Sequence, residues 1–292
     1  MKINMKNLQL TSYEQEQIKC IKTWKEEKPG VVSYVAGIIT TPIVWLIQKI
    51  IPTAAIRGVL DFANWSAEWL ADKGDIIQEA KINDIKELQR KDLQLCDKLA
   101  DNVHNWAIKI AVTEGAITGA TGIGGLAANI PIIITLALRT IHKIGLCYGY
   151  ECTNEQDKQF ILGILAVSGA NSMTEKITAL ITLRSIEVTI AKQTWKAIAE
   201  KAAEQQIGKE GAIISIKNLA KQLGINITKR KALQAIPVIG GFVGASVDGW
   251  YIKDVGWAAR RAFQERWLID NHKITKLPTT REKRGQVLNY EF

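Results

Sequence analysis

Residues 115 to 142 read GAITGATGIGGLAANIPIIITLALRTIH, and no charged residue appears between Glu114 and Arg139. Five of the first eleven residues in this run are glycine. Inside a helix glycine costs about 1 kcal/mol relative to alanine, so such a density implies a turn or a close backbone approach. Three arrangements meet that demand: a phosphate-cradling loop, a membrane hairpin, or two helices packed so closely that nothing larger fits.

The phosphate loop fails on context. Gly122-Ile123-Gly124-Gly125-Leu126-Ala127 matches G-x-G-x-x-A in letters. That fingerprint also needs a preceding strand and an acidic residue about 20 residues on. Here the preceding segment has helical periodicity, no acid appears until Glu151, and no G-K-[ST] supplies a lysine for a β-phosphate. The packed hairpin reads better. Gly115 and Gly119, with Ala116 and Ala120, set small residues four apart, which lets helix backbones approach closely. Asn129-Ile130-Pro131 then reads as a new helix start, Asn129 as N-cap and Pro131 in the first turn, and the helix continues to Gly149. The same grammar returns over residues 235 to 250, where Pro237 precedes Gly240, Gly241 and Gly244. The two blocks are expected to pack on each other.

Elsewhere the pattern is amphipathic helix. Ser12 with Gln15, Thr153 with Gln156, and Ser172 with Glu175 have capping-box spacing. One stripe carries Ile56, Val59, Leu60 and Ala63; another carries Leu93, Cys96, Leu99, Ala100, Val103 and Ala107. Near the C-terminus Ile252, Ala259, Phe263 and Trp267 share a face. Period-two strands are absent, so the expectation is an all-α, multi-helix globular domain built around two glycine-rich apolar helical hairpins. It spans 13–270, with a flexible tail at 1–12 and a basic tail at 271–292. Four stretches lack charge: 31–48, 115–138, 159–174 and 232–247. A spanning helix needs about 20 mainly apolar residues. Only 115–138 exceeds that length, and Asn129, Pro131 and the glycines interrupt it. Buried core helices are therefore expected in preference to transmembrane spans, with an interfacial or re-entrant hairpin left open.

Chemical signatures are few. His104, His142 and His272 form no metal-binding pair, no cofactor motif survives, and no G-x-S-x-G elbow is present. Glu114, Asp248 and His142 are the candidate catalytic groups, because ionisable residues set among apolar, small neighbours are either paired or perturbed. The alternative is that Arg139, Lys253 or Arg260 pairs with the carboxylates and locks the two blocks together. Cys20, Cys96, Cys147 and Cys152 form no C-x-x-C pair, and the N-terminus lacks a signal-peptide core, so a reducing, cytoplasmic location is expected.

The formal net charge of +9 calls for an anionic partner. Arg260, Arg261 and Arg266 interleave with Trp250, Trp257, Phe263 and Trp267, a composition suited to lipid headgroups above and acyl chains below. Residues 273 to 284, KITKLPTTREKR, add five cations against one acid. Arg139, Arg260, Arg261, Arg266, Trp257 and Trp267 are thus the candidate lipid-binding residues. A nucleic-acid reading rests on residues 215 to 236, where a bend at Gly224 followed by Lys229, Arg230 and Lys231 has helix-turn-helix character. It ranks below the membrane reading, because the second helix is short and runs straight into an apolar block.

The segments GAITGATGIGGLAANIPIIITLALRTIHKIGLCYGYE and IPVIGGFVGASVDGWYIKDVGWAARRAFQERWL together resemble the EcsC protein family. The family pattern pairs a G-A-x-T-G-A block, a D-[IL]-P turn, an L-x-L-R-x-I helix and a Y-G-Y/F ending with an I-P-x-x-G block and a basic-aromatic helix. The match runs from about Glu14 to Leu268, with Asn129 standing where the pattern has aspartate. The resemblance implies a bacterial-type protein linked to an ABC transporter operon, secretion and membrane processes, and it supplies no reaction. The expected function is a membrane-surface or lipid-binding protein accessory to transport or secretion, with anionic lipids and an ABC transporter or secretion component as partners. An enzyme acting on a lipid or other apolar substrate is the alternative.

Overall fold

A computed structural model describes residues 10–30, 56–61, 73–119, 122–200, 214–232 and 246–274. Among them there is no strand, and the fold is all-α. The helices are α1 (Ser12–Glu26), α2 (Gly74–Ala80), α3 (Leu93–Gly119), α4 (Gly122–Cys147), α5 (Glu155–Ser168), α6 (Met173–Glu200), α7 (Ile216–Ala232) and α8 (Ser246–Asp270). Residues 56–61 are also helical, and a 3₁₀ turn at Ile85–Arg90 joins α2 to α3.

The helix ends follow local chemistry, shifted slightly from the expected caps. Thr11, not Ser12, caps α1: its hydroxyl accepts from Glu14 N at 3.1 Å while the Glu14 carboxylate accepts from Thr11 N at 2.7 Å. Asn154, not Thr153, caps α5 by accepting from Asp157 N. At α6 the Ser172 hydroxyl accepts from Glu175 N, as the spacing predicts, but the Glu175 carboxylate reaches back to Asn171 N instead of Ser172 N. Gly149 ends the turn after α4 with φ of +86°, and a side chain there would strike Gln89.

α8 is the centre of the bundle. It packs on α3, α4, α5 and α1, and α3 and α4 pack on each other along the apolar hairpin. Phe263 of α8 sits in a ring of aromatics, with Phe160 edge-on at 5.3 Å, Tyr150 at 5.7 Å and Tyr148 at 6.2 Å. Glycine makes the crossings possible. A Cβ at Gly256 would collide with the His104 ring of α3, one at Gly249 would sit 2.6 Å from Val112, and one at Gly145 of α4 would sit 2.7 Å from Phe263. Part of the second glycine block therefore meets the helix that carries the first, through Gly249. Pro237, Gly240, Gly241 and Gly244 lie outside the described residues, as does 31–48.

Two expectations are corrected here. The helix start expected at Asn129 is absent, because α4 begins at Gly122 and runs through both Asn129 and Pro131. An interior proline costs about 3 kcal/mol. Ile130, Ile133, Ile134, Ala137 and Leu138 on both sides of it are fully or almost fully buried, and that apolar burial outweighs one missing hydrogen bond. The bend expected at Gly224 is also absent: α7 is one unbroken helix, and a Cβ at Gly224 would meet Ile56 at 2.8 Å. That glycine admits a neighbouring helix and forms no turn.

Candidate functional site

The basic-aromatic face of α8 points inward. Arg260 is 5% exposed, pairs with Asp101 of α3, and lies 4.7 Å over the Trp257 ring. Arg266 bonds Asp157 at 2.7 Å and stacks on Tyr150 at 4.1 Å, and Trp267 is buried with its indole N–H toward the Leu88 carbonyl. For Arg260, Arg266, Phe263 and Trp267 this corrects the expectation of a headgroup-facing helix: the two arginines are paired with carboxylates from α3 and α5, and the two rings are buried in the core. Arg261, Arg266 and Trp257 of that set remain partly exposed, Arg261 stacked on Trp257 at 5.0 Å, and Trp250 is 38% exposed.

Beyond Arg260 lies a polar core that the sequence reading missed. Asp97 of α3, 2% exposed, accepts from Tyr13 at 2.6 Å, from Tyr148 at 2.5 Å and from the Gln264 amide at 2.8 Å. Burial, followed by the Asp97 charge, pushes both phenols well above their ordinary range, so they stay protonated donors. The signal was present: Asp97 shares its stripe with Leu93, Ala100 and His104, all buried. A second cluster joins three helices. Lys25 of α1 meets Glu265 of α8 at 2.5 Å, while Arg184 and Glu187 of α6 meet at 3.0 Å. Glu187 is raised to about 7, by burial first and the nearby Glu265 second.

The expected catalytic groups have separate surroundings. His142 is buried in α4, its Nε2 without a hydrogen-bond partner among the described residues, and burial lowers it to about 4 with help from Lys158. It is a neutral ring in the core at physiological pH. His104 is lowered likewise, by burial and then Arg260, and its Nε2 lies 3.1 Å from the Lys253 carbonyl. Arg139, one turn before His142, lies 5.0 Å over Trp106 of α3, with Lys143 at 5.9 Å from the same ring. Asp248 is buried in the first turn of α8, where an acid suits the positive helix end, and Glu114 is half-buried on α3. A cleft between α1 and α8 is lined by Trp257 and Arg261 and by none of Glu114, Arg139, His142 and Asp248. No cluster of three or more metal-ligating side chains occurs among the described residues.

Of the cations expected to meet nucleic acid, Arg230 is turned inward, Lys229 is partly exposed, and the side chain of Lys231 and residues 233–236 lie outside the described residues. Arg230 is buried, donating to Asn171 Oδ1 at 2.8 Å and to the carbonyls of Ser168 and Ala170, with Asp254 at 3.5 Å. Its guanidinium ties α7 to the end of α5 and cannot meet a phosphate.

What distinguishes the surface is the α3–α4 hairpin. Trp106 is 42% exposed and Ile132 is 47% exposed, both beside a stretch with no charge from residue 115 to 138. Residues Asn129–Cys147 have a mean hydropathy of 1.5, enough for a spanning helix by length and composition, yet 72% of that window is buried inside the protein. Arg139 and Lys143 ring the base of this region.

These features define an all-α bundle threaded by a glycine-notched central helix, two of whose arginines, Arg260 and Arg266, are paired inward, with an uncharged stretch in the α3–α4 hairpin. The chain belongs to the EcsC protein family, whose pattern it matches over residues 15–268. It is also similar to an uncharacterized protein, YdbA, of Bacillus subtilis (strain 168), at 21% identity over 275 residues covering 89% of this chain and 95% of the relative. No solved structure matches it.

Proposed function

We propose that this protein works at a membrane surface, with the uncharged end of the α3–α4 hairpin as the lipid-contacting element and a transport or secretion assembly as its setting. The observation that carries the reading is the hairpin base, where exposed Trp106 lies beneath the partly exposed Arg139 guanidinium, while Lys143 beside it is buried and paired with Asp75 at 2.6 Å. Tryptophan and basic residues suit the headgroup level, because an indole has one apolar and one polar side and a long cation reaches outward. At 1.5 Å per residue, the uncharged helix beyond Glu114 extends about 8 Å along α3 to Gly119. Along α4 the side chains from Ile130 to Leu138 are mostly buried in the core, so the length before them, from Gly122 to Asn129, is about 10 Å. Glu114 on α3 and the core contacts of α4 therefore limit the depth on both sides. That depth suits interfacial helices, which bury about 5–10 Å into the headgroup boundary, and falls short of a span.

Flotation of the detergent-free protein with neutral and anionic vesicles, at low and high salt, tests this. The expected result is flotation that persists in high salt and drops at least five-fold in Ile132→Asp, which alters an exposed site and leaves the melting temperature unchanged. Protein that floats with neither vesicle overturns the proposal.

A further inference from the structure

The α1–α8 cleft has a volume of about 440 Å³, within the range of small-ligand sites. One stripe of α8, Trp257, Ala258 and Arg261, forms one wall, and Cys20 and Trp24 of α1 face it. Lys176 of α6 closes the end. Lys176 is 5% exposed, and its ammonium donates to the carbonyls of Trp24 at 2.5 Å and Glu27 at 2.8 Å, with the Trp24 ring centroid 5.1 Å away. No carboxylate pairs with it among the described residues.

That is an unusual balance for a buried cation. Charges taken out of water are ordinarily matched by an opposite charge, because two dipoles recover only part of the lost hydration. Burial accordingly lowers Lys176 to about 8, partly opposed by Glu27 and Asp254. The acids nearby do not fill the gap. Asp254 also lines the cleft but faces buried Arg230 at 3.5 Å, and Glu16 and Glu27 line its exposed rim, where water screens them and Lys19 and Lys28 stand beside them. Arg261 adds a second cation on the same side, held by Gln17 at 2.9 Å and Gln264 at 2.8 Å. The wall thus offers one buried cation seated on the C-terminal carbonyls of α1 with no carboxylate of the described residues within ion-pair distance, one oriented guanidinium, and two indoles.

We propose that this cleft binds a small amphiphilic anion, with its carboxylate, sulfonate or phosphate against Lys176 and Arg261 and its apolar part against Trp24 and Trp257. An acyl-chain phosphate from a lipid and a soluble aromatic acid share this chemistry. The site lies apart from the hairpin, so it stands or falls independently of the membrane reading.

Cys20 provides a local reporter: it lines the cleft and is half-exposed, whereas Cys96, Cys147 and Cys152 are buried. The wild-type protein is titrated with anilinonaphthalene sulfonate by fluorescence, and Cys20 alkylation by iodoacetamide is followed by mass spectrometry with and without saturating probe. Expected are saturable binding and at least five-fold slower alkylation, with at least ten-fold weaker binding in Lys176→Met and at least three-fold in Arg261→Gln. Lys176→Met also removes two hydrogen bonds, so its melting curve is recorded, and Cys20 protection in the wild type gives the answer without it. Monomeric dodecyl phosphate and indole acetate then compete against the probe, and whichever protects Cys20 identifies the source. Unchanged Cys20 alkylation at saturating probe, or inorganic phosphate protecting as well as dodecyl phosphate, overturns the proposal.

Discussion

Replacing Gly256 with alanine is the sharpest test of how this fold is held. The added Cβ would meet three atoms of the His104 ring well inside ordinary van der Waals contact. The ring has little freedom to yield: its Nε2 sits 3.1 Å from the Lys253 carbonyl, and Trp257 packs edge-on at 5.7 Å. Overpacking of this kind costs about 1–3 kcal/mol, and a rigid ring between two helix backbones places it near the upper end. Alanine returns about 1 kcal/mol of helix propensity, leaving a net loss of about 2 kcal/mol. At about 2–4 °C per kcal/mol for a domain of this size, melting should fall by about 4–8 °C. Gly58→Ala is the matched control, since that glycine is helical and exposed and nothing lies within 4 Å of its would-be Cβ. It should gain about 0.5–1 kcal/mol. Gly249→Ala falls between them, because Val112 is 37% exposed and can turn aside. Calorimetry or thermal circular dichroism gives the order directly. Gly256→Ala melting at or above wild type would refute the close-approach argument.

Arg230→Met should cost about 3 kcal/mol or more in urea unfolding, since it strands the carbonyls of Ser168 and Ala170 and the Asn171 side chain inside the protein. A lysine at 230 should recover only part of the loss, because it cannot span all three acceptors. Glu187 governs a pH dependence: burial and the nearby Glu265 raise its folded pKa from the ordinary 4.5 to about 7, so the folded state holds the proton more tightly. Its contribution is fully present below pH 4.5 and is lost as pH rises through 7. Glu187→Gln, which can still accept from Arg184, should show a flatter melting temperature between pH 5 and 8 than wild type, and an equal slope in both would count against the buried cluster.

Much of the fold was legible because helix periodicity and glycine spacing report directly on packing. The stripe from Leu93 to Ala107 is buried, with His104 and Asp97 completing it. The helix boundaries were less legible. Asn129-Ile130-Pro131 has the letters of a helix start, and only the burial of the isoleucines and leucine around it shows why the helix continues. At α8 composition misled for a physical reason. Arginine beside tryptophan reads identically whether the partner is a phosphate headgroup or a carboxylate from another helix. The deciding acids, Asp101 and Asp157, lie more than 100 residues away in sequence. The Lys25–Glu265 contact was invisible for the same reason, and although the stripe places Asp97 on the buried face, its partners Tyr13, Tyr148 and Gln264 also lie far off in sequence.

That correction changes the kind of membrane binding to expect. Arg260 and Arg266 face Asp101 and Asp157 inside the bundle, so the pairs present almost no net charge to a vesicle. Long-range attraction between a basic helix and anionic lipid would decay with the Debye length, about 10 Å at 0.1 M salt and about 3 Å at 1 M. Apolar transfer of the hairpin end has no such dependence, and salt that is excluded from apolar surface strengthens it. A salt titration of vesicle binding therefore separates the two mechanisms. A flat or rising curve assigns the energy to the hairpin, while a steep fall would return it to exposed cations elsewhere on the chain.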